Sequence, residues 1–314
     1  MTKPARYIFT SRQSNVVPAS LEGVEIAFVG DSVDDRGSAT TKALKGVAKT
    51  VLSLRFDANK QGTYLDGEET SRERLASHLR GKTRILMDAT TLGLGELLQI
   101  LLAAGRAENR AIEFLYAEPK QYIRRTAESA IDGQLREFSL TNNCSFCSVQ
   151  GFAHEYQPHM RAAHVFLLGF EPARILNAIE QRNDFDREHY RCHVVIGVPA
   201  FQAGWESNAI RPHLSVLDDL DIGENSITYC QANSIRETYL TLWDLYQQLG
   251  DERGCFYVSP LGTKPHAVGT ALFLLETKGN DIPTSLYYDH PVRVPHRSSE
   301  VATWHHVHVQ LRER

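Results

Sequence analysis

Cys255-Phe-Tyr-Val-Ser-Pro-Leu-Gly-Thr-Lys-Pro-His-Ala-Val-Gly269 decides how this chain is read. Its first four residues are apolar and aromatic, as in a strand, and the run from 267 to 275 has the pattern of an amphipathic helix. Between them, Gly262-Thr-Lys264 forms a turn that leaves backbone N–H groups and one ammonium at the positive end of the helix, where an anion can be held. Pro265 suits the first helical position, because its missing N–H would have no intrahelical partner there. The same residues also read as a plain strand-to-helix connection with an exposed lysine.

Working outward, strands and helices alternate on both sides. The second half gives strand 164–168, helix 172–179, strand 192–196, helix 208–217 and strand 226–229. A helix opened by the capping box Ser234-Ile-Arg-Glu237 follows, then the quoted strand and helix, then strand 285–288. The first half gives strand 24–29, helix 40–48, strand 51–56 and a Gly-rich turn. The capping box Thr70-Ser-Arg-Glu73 then opens a helix to about Leu79, followed by strand 84–87, helix 96–104 and strand 112–116. This alternation predicts an α/β fold of two Rossmann-like lobes with mainly parallel sheets flanked by helices. The expected boundaries are a polar arm over 1–21, a lobe over 22–119, a linker or insertion over 120–163, and a lobe over 164–314 that carries the Gly-Thr-Lys turn.

Composition narrows the function classes. With 42% hydrophobic and 23% charged residues the chain is an ordinary globular one. A formal net charge of -4 and no long basic run argue against wrapping an extended nucleic-acid duplex, which needs many phosphate contacts. A small anion held by a few local cations remains allowed. No run approaches the ~18 apolar residues of a membrane span, and the first residues lack a signal-peptide core. Five cysteines, an odd number, point to reduced thiols and a cytoplasmic location.

In open α/β sheets ligands bind at the carboxyl ends of the strands. Those positions hold Asp31, Ser32, Asp57, Asp88, Thr90, Thr91 and Glu118 in the first lobe. In the second they hold Glu171, Phe201, Gln202, Gln231, Asn233, Ser259, Thr263, Lys264, Asp289 and His290. Hydroxyls, amides and carboxylates in this mixture suit phosphate, ribose and base edges, although loop tips are polar in every protein. In Asp88-Ala-Thr-Thr91 the hydroxyls can cap a helix or bind a phosphate, and the acid can take Mg²⁺ or a ribose hydroxyl; no second acid supports the metal. Near the C-terminus Arg293 and Arg297 can grip a phosphate and Trp304 can stack on a base. There His306 and His308 alternate with valines, which equally describes an edge strand.

Cys144 and Cys147, followed by His154 and His159, have allowed zinc spacings, but the interval between the pairs is short for a finger. The other cysteines, Cys192, Cys230 and Cys255, read as small buried hydrophobes. There is no Gly-x-Gly-x-x-Gly after the first strand, no Walker loop and no Gly-x-Ser-x-Gly elbow. Neither an NAD signature nor a P-loop ATP signature is therefore present, and no cofactor is indicated.

A Rossmann-like lobe whose strand-to-helix turn carries Gly262-Thr263-Lys264, with a second polar turn after its first strand, resembles the CRISPR-associated Rossmann-fold (CARF) sensors of bacterial antiviral defence. The resemblance covers mainly residues 164–290. It implies a pocket for a cyclic oligonucleotide, usually across a homodimer axis, with Thr263 and Lys264 joined by Gly169, Phe170 and Glu171. Pro265 and His266 after the lysine, and the acid at Glu171, depart from that pattern. The expected function is a nucleotide-binding sensor or component of a defence or signalling system. Its ligand set is Gly169, Phe170, Glu171, Gln231, Asn233, Ser259, Gly262, Thr263, Lys264, Asp289 and Arg293. The alternatives are an enzyme acting on a nucleotide-derived group through Asp88, Lys264 or His266, and a scaffold subunit of a larger complex.

Overall fold

The computed structural model describes residues 7–123, 138, 140–142, 146–155, 161–181, 189–250 and 254–312. Two units share the chain, one of residues 3–123 with 293–314 and one of residues 124–292. Among the described residues no helix is long and apolar enough to cross a membrane.

The first unit contains β1 (Tyr7–Ser14), β2 (Ile26–Val29), α1 (Asp35–Val47), β3 (Thr50–Asp57), β4 (Gly62–Leu65) and β5 (Glu68–Glu69). It continues with α2 (Arg72–Leu79), β6 (Ile85–Asp88), α3 (Leu94–Arg106) and β7 (Ala111–Tyr122). Every residue of β2 and β6 is buried, which explains their continuous apolar runs: both faces of a parallel sheet are covered. β3, β2, β6 and β7 pair in parallel in that spatial order, so the chain winds outward from β2 and then reverses. Leu44 of α1 packs with Ala27, Val29, Leu86 and Leu115 on one side. Asp34 caps α1 by accepting from the Gly37 N–H, and Ser71, not Thr70, caps α2.

The second unit contains β8 (Thr141–Asn142), β9 (Ala162–Leu167), α4 (Pro172–Glu180), β10 (Tyr190–Gly197), α5 (Glu206–Ile210), α6 (Leu214–Asp219) and β11 (Ile227–Cys230). After these come α7 (Ile235–Gly250), β12 (Cys255–Pro260), α8 (Lys264–Thr277) and β13 (Thr284–Leu286). Its five-stranded sheet is parallel throughout, in the order β11-β10-β9-β12-β13. Ile175 and Ala178 of α4, with Val216 and Leu217 of α6, pack on Phe166, Val194 and Ile196. Trp243 and Tyr246 of α7 meet Phe273 of α8 in ring contacts, and Tyr246 meets Phe256 of β12. After β14 (Val292–Arg293) the chain returns to the first unit as β15 (Ser298–Leu311).

The structure departs from the sequence reading at identifiable places. β15, expected with the second lobe, lies in the first sheet between β1 and β7, antiparallel to both. The polar arm expected over 1–21 includes β1, whose eight residues all pair with β15; its mostly exposed faces leave no apolar alternation to read. β7 runs on through Pro119, which is tolerated because the register with β15 shifts there in a bulge. The Gly-rich turn after β3 is a hairpin of β4 and β5, closed by Asp66 and Gly67 with φ of 49° and 89°. The helix expected over 208–217 is broken by a 3-10 turn at Arg211–His213, where Pro212 lacks the N–H that a continuous helix needs.

The helix read as amphipathic is buried along nearly its whole length as α8, because α7 covers the side a surface helix would expose. Gly269 permits that approach: a Cβ there would lie 2.5 Å from Thr238 Cβ and 2.8 Å from the Ile235 carbonyl. Gly269→Ala is therefore expected to cost about 1–3 kcal/mol through overpacking, read as a lower urea midpoint with an unchanged slope.

Candidate functional site

In the second unit the strand order reverses between β9 and β12, so the turns leaving these strands head toward opposite faces of the sheet. The two turns touch. A Cβ on Gly169 would sit 2.6 Å from the Leu261 carbonyl oxygen, and one on Gly262 would sit 2.7 Å from the Leu168 carbonyl oxygen. Only glycine fits either place. α4 and α8 both begin here, with their positive ends at one edge of the sheet.

Below the reversal lies Arg174, in the first turn of α4 and buried. Its Nε and Nη2 donate to both oxygens of Asp289, at 2.5 and 2.6 Å, and its Nη1 donates to the Leu261 carbonyl at 2.5 Å. Burial opposes the guanidinium charge, the fully buried Asp289 carboxylate outweighs it, and Arg174 is held above its ordinary range. Asp289 is thus a structural counter-charge within this site.

The remaining predicted residues divide by role. Thr263 caps α8 by accepting from the His266 N–H, and its hydroxyl donates to the Ala232 carbonyl, fastening the turn after β11. Gln231 and Asn233 belong to that turn. Ser259 is buried between His164 Nε2, at 2.7 Å, and the Tyr287 carbonyl, at 2.5 Å. Glu171 directs its carboxylate at the N–H groups of Leu140 and Thr141, so it does not cap α4. Lys264 is half-buried at the first position of α8. Gly169, Phe170, Glu171, Gln231, Asn233, Ser259, Gly262, Thr263, Lys264 and Asp289 all lie at or just beyond the carboxyl edge of this sheet. Arg293 belongs to the first unit, where it donates to the carbonyls of Thr91 and Leu92.

Aromatic side chains border this edge. Phe170 lies 4.9 Å from Phe138 and 6.4 Å from Trp205, centroid to centroid, and both Phe170 and Trp205 are half-buried. Trp205 was not among the residues singled out from sequence. Its position just past β10, beside Phe201 and Gln202, was the available signal.

His266 is fully buried, and burial lowers its pKa to about 4 against a weaker opposing effect of the hydrogen bond to Gln231. Nε2 faces the Gln231 carbonyl at 3.2 Å, so the proton is assigned to Nε2 and the imidazole is neutral at pH 7. Among the described residues Nδ1 has no hydrogen-bond partner and is left as a buried acceptor facing Gly262.

In the first unit Asp88 is fully buried and accepts from Thr40 Oγ1 at 2.7 Å, Thr91 Oγ1 at 2.8 Å and the Thr90 N–H at 3.0 Å. Burial raises its pKa, opposed by these bonds. Thr91 Oγ1 also accepts from the Gly30 N–H, and Thr90 Oγ1 from the Ala117 N–H. Gly93 caps α3, so neither threonine does. Trp304 is buried in the core, away from any stacking role, and Arg297 is half-buried with its pKa lowered to about 10 by burial and then by Arg293. Of the zinc candidates, Cys144 and His159 lie outside the described residues. Cys147 forms a bridge with Tyr288, and His154 lies along β13 through its N–H to Ser285. Among the described residues no group of three His, Cys, Asp or Glu side chains is placed to hold a metal.

No protein-family model matches the sequence, and no curated protein matches it either.

Asp289→Ala removes the only carboxylate bonded to Arg174 among the described residues and leaves a buried charge uncompensated, so a loss of roughly 3–5 kcal/mol is expected in denaturant unfolding. His266 gives a pH dependence of opposite sense to a paired histidine. Its folded pKa, about 4, lies below the ordinary 6.5, so its contribution is present above pH 6.5 and is lost as pH falls toward 4. The urea midpoint should fall less steeply between pH 7 and pH 4.5 in His266→Gln than in the parent; equal slopes would contradict this assignment.

Proposed function

We propose that the second unit binds an anionic nucleotide at the reversal between β9 and β12, as a sensor or component of a bacterial defence or signalling system. The observation that carries this reading is the convergence of two helix N-termini on one pair of glycine turns at the point where the strand order reverses. Such a place offers backbone N–H groups and a positive field to a phosphate. The first turn of α4 has no side-chain cap, since Glu171 is committed to residues 140 and 141; Pro172 lacks an N–H and the Arg174 N–H bonds to the Glu171 carbonyl, so Ala173 supplies the N–H of this turn. Lys264 supplies a charge at the start of α8. Phe170 and Trp205 supply rings on which a base can stack, and Gln231 and Asn233 supply amides for base or ribose edges.

The resemblance of the Gly-Thr-Lys turn to CARF sensors favours a cyclic oligonucleotide over a mononucleotide, shared between two copies of the chain. The catalytic alternative has less support. Asp88 spends its carboxylate on three internal donors, and His266 is sealed beneath the Gly262 turn.

Thermal unfolding in the presence of mono-, di- and cyclic nucleotides tests the proposal. A ligand at about 100 times its dissociation constant should add roughly 2.7 kcal/mol to the parent, and Lys264→Ala should lose most of that gain while keeping its own unliganded stability. Equal stabilisation of parent and variant, or none with any nucleotide, sinks it.

A further inference from the structure

A pocket of about 550 Å³ opens in the first unit on the face formed by β1, β15 and β7, at the amino end of the parallel strands. Register explains its lining. Arg12 of β1 stands opposite His306 of β15, Thr10 opposite His308, and Glu113 of β7 opposite His308, and directly paired residues project from the same face. The 3-10 turn Ala19–Leu21 brings Ser20 to the rim.

Three of these side chains form a chain of hydrogen bonds. Ser20 Oγ lies 2.7 Å from His306 Nδ1, and His306 Nε2 lies 2.7 Å from Glu113 Oε2. Arg84 donates to both oxygens of Glu113, each at 2.7 Å, and to the Ser20 carbonyl at 2.8 Å. Burial alone would raise the Glu113 pKa, but Arg84 and then His306 outweigh it and lower it to about 2, so the group is a carboxylate. A carboxylate only accepts, which assigns the imidazole proton to Nε2. In the neutral imidazole Nδ1 then carries the lone pair, and the serine hydroxyl donates across the 2.7 Å contact. The imidazole is nearly buried while Ser20 is partly open to the pocket.

We propose that Ser20, His306 and Glu113 form a nucleophile, general base and orienting carboxylate, and that the pocket takes a small polar carboxylic ester. Geometry and roles identify such a triad independently of any sequence motif. Ser20 Oγ attacks the acyl carbon as its proton passes to His306 Nδ1, and the carbonyl electron pair moves to oxygen beside the Arg12 guanidinium. Collapse breaks the ester C–O bond, and the leaving alkoxide takes the proton from Nδ1. Water repeats the sequence on the acyl-serine, giving a carboxylic acid and restoring Ser20. Glu113 and Arg84 are positioning residues.

Treating the full chain with a fluorophosphonate and mapping the adduct by peptide mass tests this. The expected result is one phosphonyl group on Ser20, none on Ser20→Ala, and labelling of His306→Gln slowed by about 10²-fold or more. A parent protein left unlabelled at Ser20 under conditions that label an authentic serine hydrolase overturns the proposal whatever the variants do. Parental labelling rates in a folded His306→Gln overturn it equally.

Discussion

The bond between Arg174 and Asp289 is the constraint on which the second unit's carboxyl edge depends. Burying two charges costs several kcal/mol per ion in water lost, and only excellent geometry with every donor satisfied offsets it. Here the guanidinium meets both carboxylate oxygens, and its remaining arm reaches the Leu261 carbonyl. One side chain on α4 therefore ties down the turn after β12 and the segment after β13. Because those ties are internal, the starts of α4 and α8 are held in place by the protein's own contacts.

The first unit solves the same problem with other residues. Where its strand order reverses, between β2 and β6, a Cβ on Gly30 would lie 2.7 Å from the Thr91 carbonyl oxygen, and Arg293 donates to that same carbonyl at 3.0 Å. In the second unit Gly169 abuts the Leu261 carbonyl, to which Arg174 donates. Adjacent strands whose loops diverge bring backbone close to backbone, which demands glycine, and leave carbonyls turned inward, which demands a donor. Arginine supplies several donors in one plane and meets that demand with a single side chain.

This explains what could be read from the sequence and what could not. The parallel strands and their helices were legible because burial on both faces writes an uninterrupted apolar run, as in Ile26 to Val29 and Cys255 to Val258. The role of the strand-end acids was not. Asp88, Asp289 and Glu171 look alike as polar residues after a strand, yet each is committed to a partner remote in sequence, from Thr40 to Arg174 to Thr141. β1 and β15 were misplaced for a related reason. Their pairing joins residues about 300 positions apart, and no local pattern in a mostly exposed strand encodes its partner. At Asp66 and Gly67 the sequence reading reaches a Gly-rich turn but not the short strands β4 and β5 that it joins.

Adding β15 to the edge of a parallel sheet also creates a surface that the parallel strands alone would lack. Trp304, His306 and His308 alternate along one face of this strand. α1 packs against β15, and Trp304 shares a buried cluster with Leu44 of that helix. The same face, two and four residues further on, turns polar and opens into a pocket. Leu21 belongs to the Trp304 cluster, and its neighbour Ser20 reaches His306, so a single 3-10 turn divides packed core from a hydroxyl partly open to the pocket. A polar histidine pair continuing an apolar stripe is costly unless its nitrogens are satisfied, and at His306 the satisfaction comes from a carboxylate on one side and a hydroxyl on the other. The hydrogen bonds that make the imidazole tolerable in the sheet are the ones that leave its lone pair directed at an accessible oxygen.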